Sequence, residues 1–325
     1  MRRREFISLL GGASAAWPLA ARAQQTLPVV GYLRTGSRAA SSDREAAFRE
    51  GLGRIGFAEG RNVTIDYRYT ENQNDRLPAL AADLVRRKVA VIYAGDSTSA
   101  VAAKAVTTIM PIVFRVGGDP VQLGLVPSLS QPSGNVTGVS FLNTTTGAIR
   151  MHMLHEAAPN AAVMGFLVNP VNPLAETDTR EAQEAAQKLG LELQVVGASN
   201  IHEIDAAFAT LMQRRVRALV INGNTIFSNR RQQLAILTVR HAMPAIYPQR
   251  GFPDAGGLMS YGANGVDADR LAGTYVGRIL KGDKPAALPV QQAVKVELVI
   301  NLITAKVLGV TFPLTLLGRA DEVIE

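Results

Sequence analysis

Val89-Ala90-Val91-Ile92-Tyr93-Ala94, followed at once by Gly95-Asp96-Ser97-Thr98-Ser99, is the stretch that decides the fold. An uncharged apolar run of this length, with no turn former inside it, reads as a strand buried on both faces. The polar run that ends it opens a helix predicted through residue 108. Pro111-Ile112-Val113-Phe114-Arg115 then reads as the next strand. Strand, helix, strand in this order is a parallel crossover unit, because parallel neighbours must be joined by a connection that returns along the sheet.

The same alternation extends in both directions. Towards the N-terminus it predicts a strand over 29–33, a helix over 44–55, a strand over 63–69 and a helix over 76–87. A strand over 136–140 follows the central unit. The pattern then restarts with helix 146–157, strand 163–169, helix 175–189, strand 192–196, helix 204–214, strand 218–222, helix 230–241 and strand 245–247. Two successive sets imply an α/β protein of two Rossmann-like lobes with parallel sheets. Beyond them come a strand over 258–261, a helix over 268–280, a strand over 295–300 and a helix over 302–308. These extra elements suit a hinge that the chain crosses more than once. The expected division is 27–142 plus 262–288 for the first lobe and 143–261 plus 289–325 for the second, with helix 268–280 packed on the first.

Composition agrees with a globular chain: 325 residues, 47% hydrophobic and 19% charged, with a formal charge of +7. Part of that charge sits in the first 23 residues, where Arg2, Arg3, Arg4 and Arg22 face only Glu5. The short apolar run after them ends in Ala21-Arg22-Ala23, so residues 1–23 read as a twin-arginine-like signal peptide cleaved after Ala23. Later basic residues occur as short pairs such as Arg86-Arg87, and nucleic acid is not expected as a partner. The chain has no cysteine, hence no disulfide and no lipid anchor at the cleavage site. A soluble periplasmic protein is expected, and a monomer.

Ligands of open parallel sheets bind beyond the carboxyl ends of the strands. The residues there are Arg34, Thr35, Gly36 and Ser37 after the first strand, Gly95 to Ser99 after the third, and Gly117, Gly118 and Asp119 after the fourth. In the second half they are Asn169, then Asn222, Gly223, Asn224 and Thr225, then Tyr247. The candidate ligand contacts are Thr35, Ser37, Asp96, Ser97, Thr98, Ser99, Gly118, Asp119, Asn169, Asn222, Asn224, Tyr247 and Tyr261. Ser97, Thr98 and Ser99 start a helix and can hold a carboxylate on hydroxyls and free amides. Asp96 or Asp119 can meet an ammonium group. Tyr32, Phe227, Tyr247 or Tyr261 can cover an apolar portion. Ser97 and Asp119 serve equally well as caps, and the tyrosines as core. His152, His155, His202 and His241 form no metal motif, and no nucleophile elbow or phosphate loop occurs. No catalytic residue, metal or cofactor is expected.

Several segments carry a family resemblance. They are Asp119-Pro120-Val121 with Gly124-Leu125-Val126 and Gly134-Asn135-Val136-Thr137-Gly138, and Gly256-Gly257-Leu258-Met259-Ser260-Tyr261-Gly262. Ile279-Leu280-Lys281-Gly282 and the C-terminal Ala320-Asp321-Glu322-Val323-Ile324 complete the set. In this order the chain resembles ABC-transporter substrate-binding proteins related to tryptophan- and tyrosine-type receptors, with the type I periplasmic binding protein fold. The resemblance implies a periplasmic receptor of Venus-flytrap type that binds an amino acid or similar small polar molecule by hinge closure. It would deliver the ligand to an ABC permease and its ATPase. The chain departs from the family pattern at Arg115-Val116-Gly117-Gly118 and at Val121-Gln122-Leu123, close to the expected pocket rim. Two other readings stay open: a secreted α/β hydrolase using Asp96, Asp119 and His241, and a ligand-sensing module for a membrane partner.

Overall fold

The structure, a computed structural model, describes residues 27–71, 73–141, 144–292 and 296–325; the expected signal segment 1–23 lies outside them. The first half contains β1 (Val29–Arg34), α1 (Ser42–Arg54), β2 (Thr64–Tyr69), α2 (Leu77–Arg86), β3 (Val91–Ala94), α3 (Ser97–Val106), β4 (Ile112–Val116) and β5 (Val136–Ser140). The second set contains α4 (Thr144–Ala157), β6 (Val163–Val168), α5 (Ala175–Lys188), β7 (Glu192–Gly197), α6 (Glu203–Gln213) and β8 (Ala218–Ile221). It continues through α7 (Thr225–Asn229), α8 (Arg231–Arg240), β9 (Ala245–Tyr247) and β10 (Met259–Ala263). The chain ends with α9 (Gly265–Leu280), β11 (Gln291–Gln292), β12 (Val296–Asn301), α10 (Leu302–Leu308), α11 (Leu314–Leu317) and β13 (Glu322–Ile324).

These strands form two sheets, ordered β2-β1-β3-β4-β5-β11 and β7-β6-β8-β9-β10-β12-β13. All pairings are parallel except β10 with β12, which run antiparallel. The expected parallel sheets therefore carry one exception. The chain enters the second sheet after β5, leaves it after β10 to build α9 and β11, and returns for β12. Gln291 and Gln292 pair with Val139 and Ser140, so the last crossing follows residue 292 rather than 288.

Strand alternation divides each sheet into two apolar faces. In the first sheet Tyr32, Tyr93 and Val113 join Phe48 of α1 and Val276 of α9, whereas Leu33, Ile92 and Phe114 join Leu84 of α2 and Ala100 of α3. In the second, Phe166, Val220 and Ile246 pack with Met151, Leu154 and Ala182, and Leu167, Leu219 and Ile221 with Phe208, Leu211 and Leu234. Both sheets are thus covered on both faces, which is why their strands read as unbroken apolar runs.

Helices α1 and α9 meet along a glycine seam. A Cβ built on Gly51 would fall 1.9 Å from the Arg270 carbonyl oxygen, and one on Gly273 would fall 2.2 Å from that of Phe48. Only glycine allows backbones this close. The seam lays α9 against the first lobe and carries Asp269 in among the strand ends.

Candidate functional site

A crevice opens between the carboxyl ends of the two sheets. Its first wall consists of Arg34, Arg44, Asp96, Ser97, Thr98, Arg115, Gly117 and Phe141. The opposite wall is built by Asn172, Leu174, Asp178, Asn222, Gly223, Asn224, Thr225, Ser228 and Gln249. The space is about 590 Å³, counting the part open to solvent. Arg44 also spans the gap, its Nη2 donating to Gln249 Oε1 at 2.9 Å.

On the first wall three guanidiniums converge on one carboxylate. Arg34 ends β1, Arg115 lies in β4 and Arg44 in α1; they stand 3.7, 3.5 and 3.1 Å from Asp269, which is fully buried. The Tyr93 hydroxyl donates to the same carboxylate. Arg34 and Arg115 also donate to the Gly95 carbonyl at 3.1 and 3.4 Å. The Arg115 guanidinium lies 4.1 Å above the Phe141 ring, which supports its plane. Burial, and then repulsion from Arg115 and Arg34, pulls the Arg44 pKa down to about 9. Arg115 Nε and Nη2 and Arg34 Nε have no hydrogen-bond acceptor.

Asp96 is held from below. Its Oδ2 accepts from the Thr35 amide and hydroxyl at 2.8 and 2.9 Å, and its Oδ1 accepts from the Ser99 amide at 2.9 Å. Ser99 closes a capping box with Asp96 at the start of α3. Thr35 and Ser99 are therefore buried braces beneath the wall, while Ser97 and Thr98 face the crevice.

On the second wall Asp178 accepts from Asn222 Nδ2 at 2.7 Å through Oδ2, while its Oδ1 has no partner. Burial raises the Asp178 pKa to about 6. Arg150, fully buried behind it, donates to the Thr146 hydroxyl at 3.0 Å and leaves Nε and Nη2 unpaired. Asn224 caps α7 through the Ile226 amide and receives Asn169 Nδ2 at 3.1 Å, so Asn169 shapes this wall from behind.

Of the residues expected from sequence, Asp96, Ser97, Thr98, Asn222 and Asn224 line the crevice. Gly118 touches Leu174 of the opposite wall. Others lie elsewhere. The Ser37 carbonyl accepts from Ser41, and Asp119 Oδ1 accepts from the Val121 amide at 2.8 Å, outside the crevice walls. Tyr247 is fully buried, its hydroxyl 2.7 Å from Thr238 and its ring stacked on Phe252 at 4.6 Å. Tyr261 packs on the second lobe's core, as does Phe227, and Tyr32 packs edge-on against Phe48 in the first. The hydrolase trio is not assembled: Asp96 stands in the crevice, Asp119 caps a turn, and His241 lies against Phe208. Among the described residues no group of His, Asp and Glu could hold a metal, and no helix is long and apolar enough to cross a membrane. Sequence reasoning passed over Arg44, Asp178, Asn172 and Gln249 as wall residues, and placed Arg115 only close to the pocket rim.

The model of the family described as ABC transporter substrate binding protein matches residues 37–324. A tyrosine-binding protein of Clostridioides difficile is 26% identical over 257 residues, covering 78% of this chain and 72% of that protein. Among solved structures, an ABC domain in complex with L-Trp from Streptococcus pneumoniae superposes with a TM-score of 0.83 at 24% identity, covering 92% of this chain and all of that one. A ligand-free, open substrate-binding protein with adhesive properties from Clostridium difficile gives 0.63 at 23% identity, covering 92% of this chain and 99% of that one.

Proposed function

The chain belongs to the family of ABC transporter substrate-binding proteins, and from that premise we propose that it captures a small polar carboxylate, an amino acid or a related compound, between its lobes for an ABC importer. The observation that carries this reading is the crevice itself: two separate α/β lobes present hydrogen-bonding groups to one space. Arginine forks recognise carboxylates by paired, charge-assisted hydrogen bonds, and the guanidiniums of Arg34, Arg44 and Arg115 line the first wall. The first turn of α3 adds amides and the hydroxyls of Ser97 and Thr98. Asp178, on the facing wall, offers one unpartnered oxygen to a ligand donor, and Phe141 and Leu174 supply apolar surface.

Capture proceeds by hinge closure: a ligand touching both walls stabilises the closed arrangement, and the closed form docks on the permease and its ATPase. The Arg44–Gln249 bond across the gap supports a closed arrangement here. The names of the relatives favour an amino-acid-like ligand. Export by the N-terminal signal, a periplasmic location and a monomeric state complete the proposal.

The test is a thermal-shift screen of the mature protein, followed by small-angle scattering with each hit. A ligand at a hundredfold excess over its dissociation constant adds about 2.7 kcal/mol of stability. The radius of gyration should fall, and the ligand should be recovered unaltered. A tight ligand that leaves the radius unchanged, or that is chemically converted, would remove this reading.

A further inference from the structure

Charges around the crevice do not balance on the first wall. Arg34, Arg44 and Arg115 crowd around Asp269, with side-chain exposures of 2%, 13% and 4%. The second carboxylate there is Asp96, which acts on Arg34. Glu45, next to Arg44 in α1, is already taken by Arg38 and the Tyr69 hydroxyl. Two buried cations and a third, partly buried one therefore face two buried anions. The excess registers on Arg44, whose charge is disfavoured by burial and by its two arginine neighbours. The second wall balances internally, because Asp178 and Arg150 attract one another, and Glu181 beyond them is offset by Arg180.

A buried charge without a counter-charge is costly, and a ligand that supplies the counter-charge binds at a premium. A zwitterionic amino acid brings one negative and one positive group, leaving the excess in place. A monoanion cancels it. Resting on the solute-capture reading, we propose that the ligand is an organic carboxylate of net charge −1. Its carboxylate lies against Arg115 and Arg34, and a hydroxyl or ammonium donor meets the free oxygen of Asp178. A 2-hydroxy acid satisfies this, and so does an amino acid with a second carboxylate.

The experiment uses matched pairs on the mature protein by calorimetry: lactate with alanine, phenyllactate with phenylalanine, 4-hydroxyphenyllactate with tyrosine, and glutamate with glutamine. In the best pair the monoanion should bind at least tenfold tighter than its zwitterionic twin. Arg44→Gln should bring that ratio close to one, whereas Arg44→Lys, which keeps the charge, should preserve it; thermal unfolding of both variants verifies that they are folded. A zwitterion that binds as tightly as its anionic twin, or an unchanged ratio in folded Arg44→Gln, overturns the charge assignment and leaves solute capture standing. Tight binding of an uncharged solute alone does the same. If no member of these pairs or of the wider screen binds, both readings fall together.

Discussion

Leu174, after β6, lies so close over Gly118, after β4, that a Cβ built on that glycine would fall 2.1 Å from the leucine Cδ1. The two residues belong to opposite lobes, so the missing side chain sets how near the walls approach. Gly118→Ala should therefore hinder closure while leaving each lobe intact. Ligand affinity is expected to fall about tenfold, or ~1.4 kcal/mol, with an unchanged unfolding midpoint of the free protein. Adding Leu174→Ala should recover part of the loss, read by calorimetry.

Arg44 and Gln249 supply a second, polar tie across the gap. Hydrogen bonds to charged groups contribute about 1.5–3 kcal/mol. Gln249→Ala removes the acceptor, and scattering on the free protein should show a larger radius of gyration than wild type.

Asp269 is the counter-ion that three arginines share. Breaking a buried ion pair by removing one partner costs about 3–5 kcal/mol. Asp269→Asn should lose stability of that order in urea denaturation, with a marked fall in the midpoint. A loss below about 1 kcal/mol would mean that the cluster is better solvated than its burial indicates.

Asp178 gives a pH prediction. Its folded pKa is raised to about 6 against 3.8 for the free group, so between those values the folded protein binds more protons than the unfolded chain. Stability contributed by this group therefore decreases as pH rises through that window. Asp178→Asn, a neutral mimic that keeps an oxygen for Asn222, should be more stable than wild type at pH 7 by about 3 kcal/mol. The advantage should vanish below pH 4, as followed by urea denaturation at the two pH values.

Tyr247 separates core from crevice. Its hydroxyl meets Thr238 inside the second lobe. Tyr247→Phe should cost about 1 kcal/mol of stability and leave ligand affinity as in wild type.

The lobes are legible in the sequence because strands covered on both faces stand out as apolar runs between helical stretches. Val91 to Ala94 is fully apolar, and the polar run after it marks the helix start. By contrast β11 and β13 are two and three residues long, mostly exposed, and held by edge pairing that leaves no local pattern. The strand-end rule finds Asp96, Ser97, Thr98, Asn222 and Asn224, since the turns after β3 and β8 face the crevice. Tyr247 stands at a strand end too, yet its side chain points into its own lobe, the core role that the sequence left open for the tyrosines. Arg34 and Arg115 do leave a signal, a lone cation at the end of an otherwise apolar strand. Arg44, Asp178 and Asp269 leave none: they sit on helices, and only tertiary packing gathers them.

The glycine seam between α1 and α9 has a consequence for synthesis. The half of the protein that leaves the ribosome first cannot be finished on its own, because Phe48 and its neighbours await a helix translated more than two hundred residues later. A gene cut after β5 would encode a piece with a bare oily flank and an unmatched sheet border. Chaperones meeting the nascent chain would have to shield that flank until the last crossing back is made.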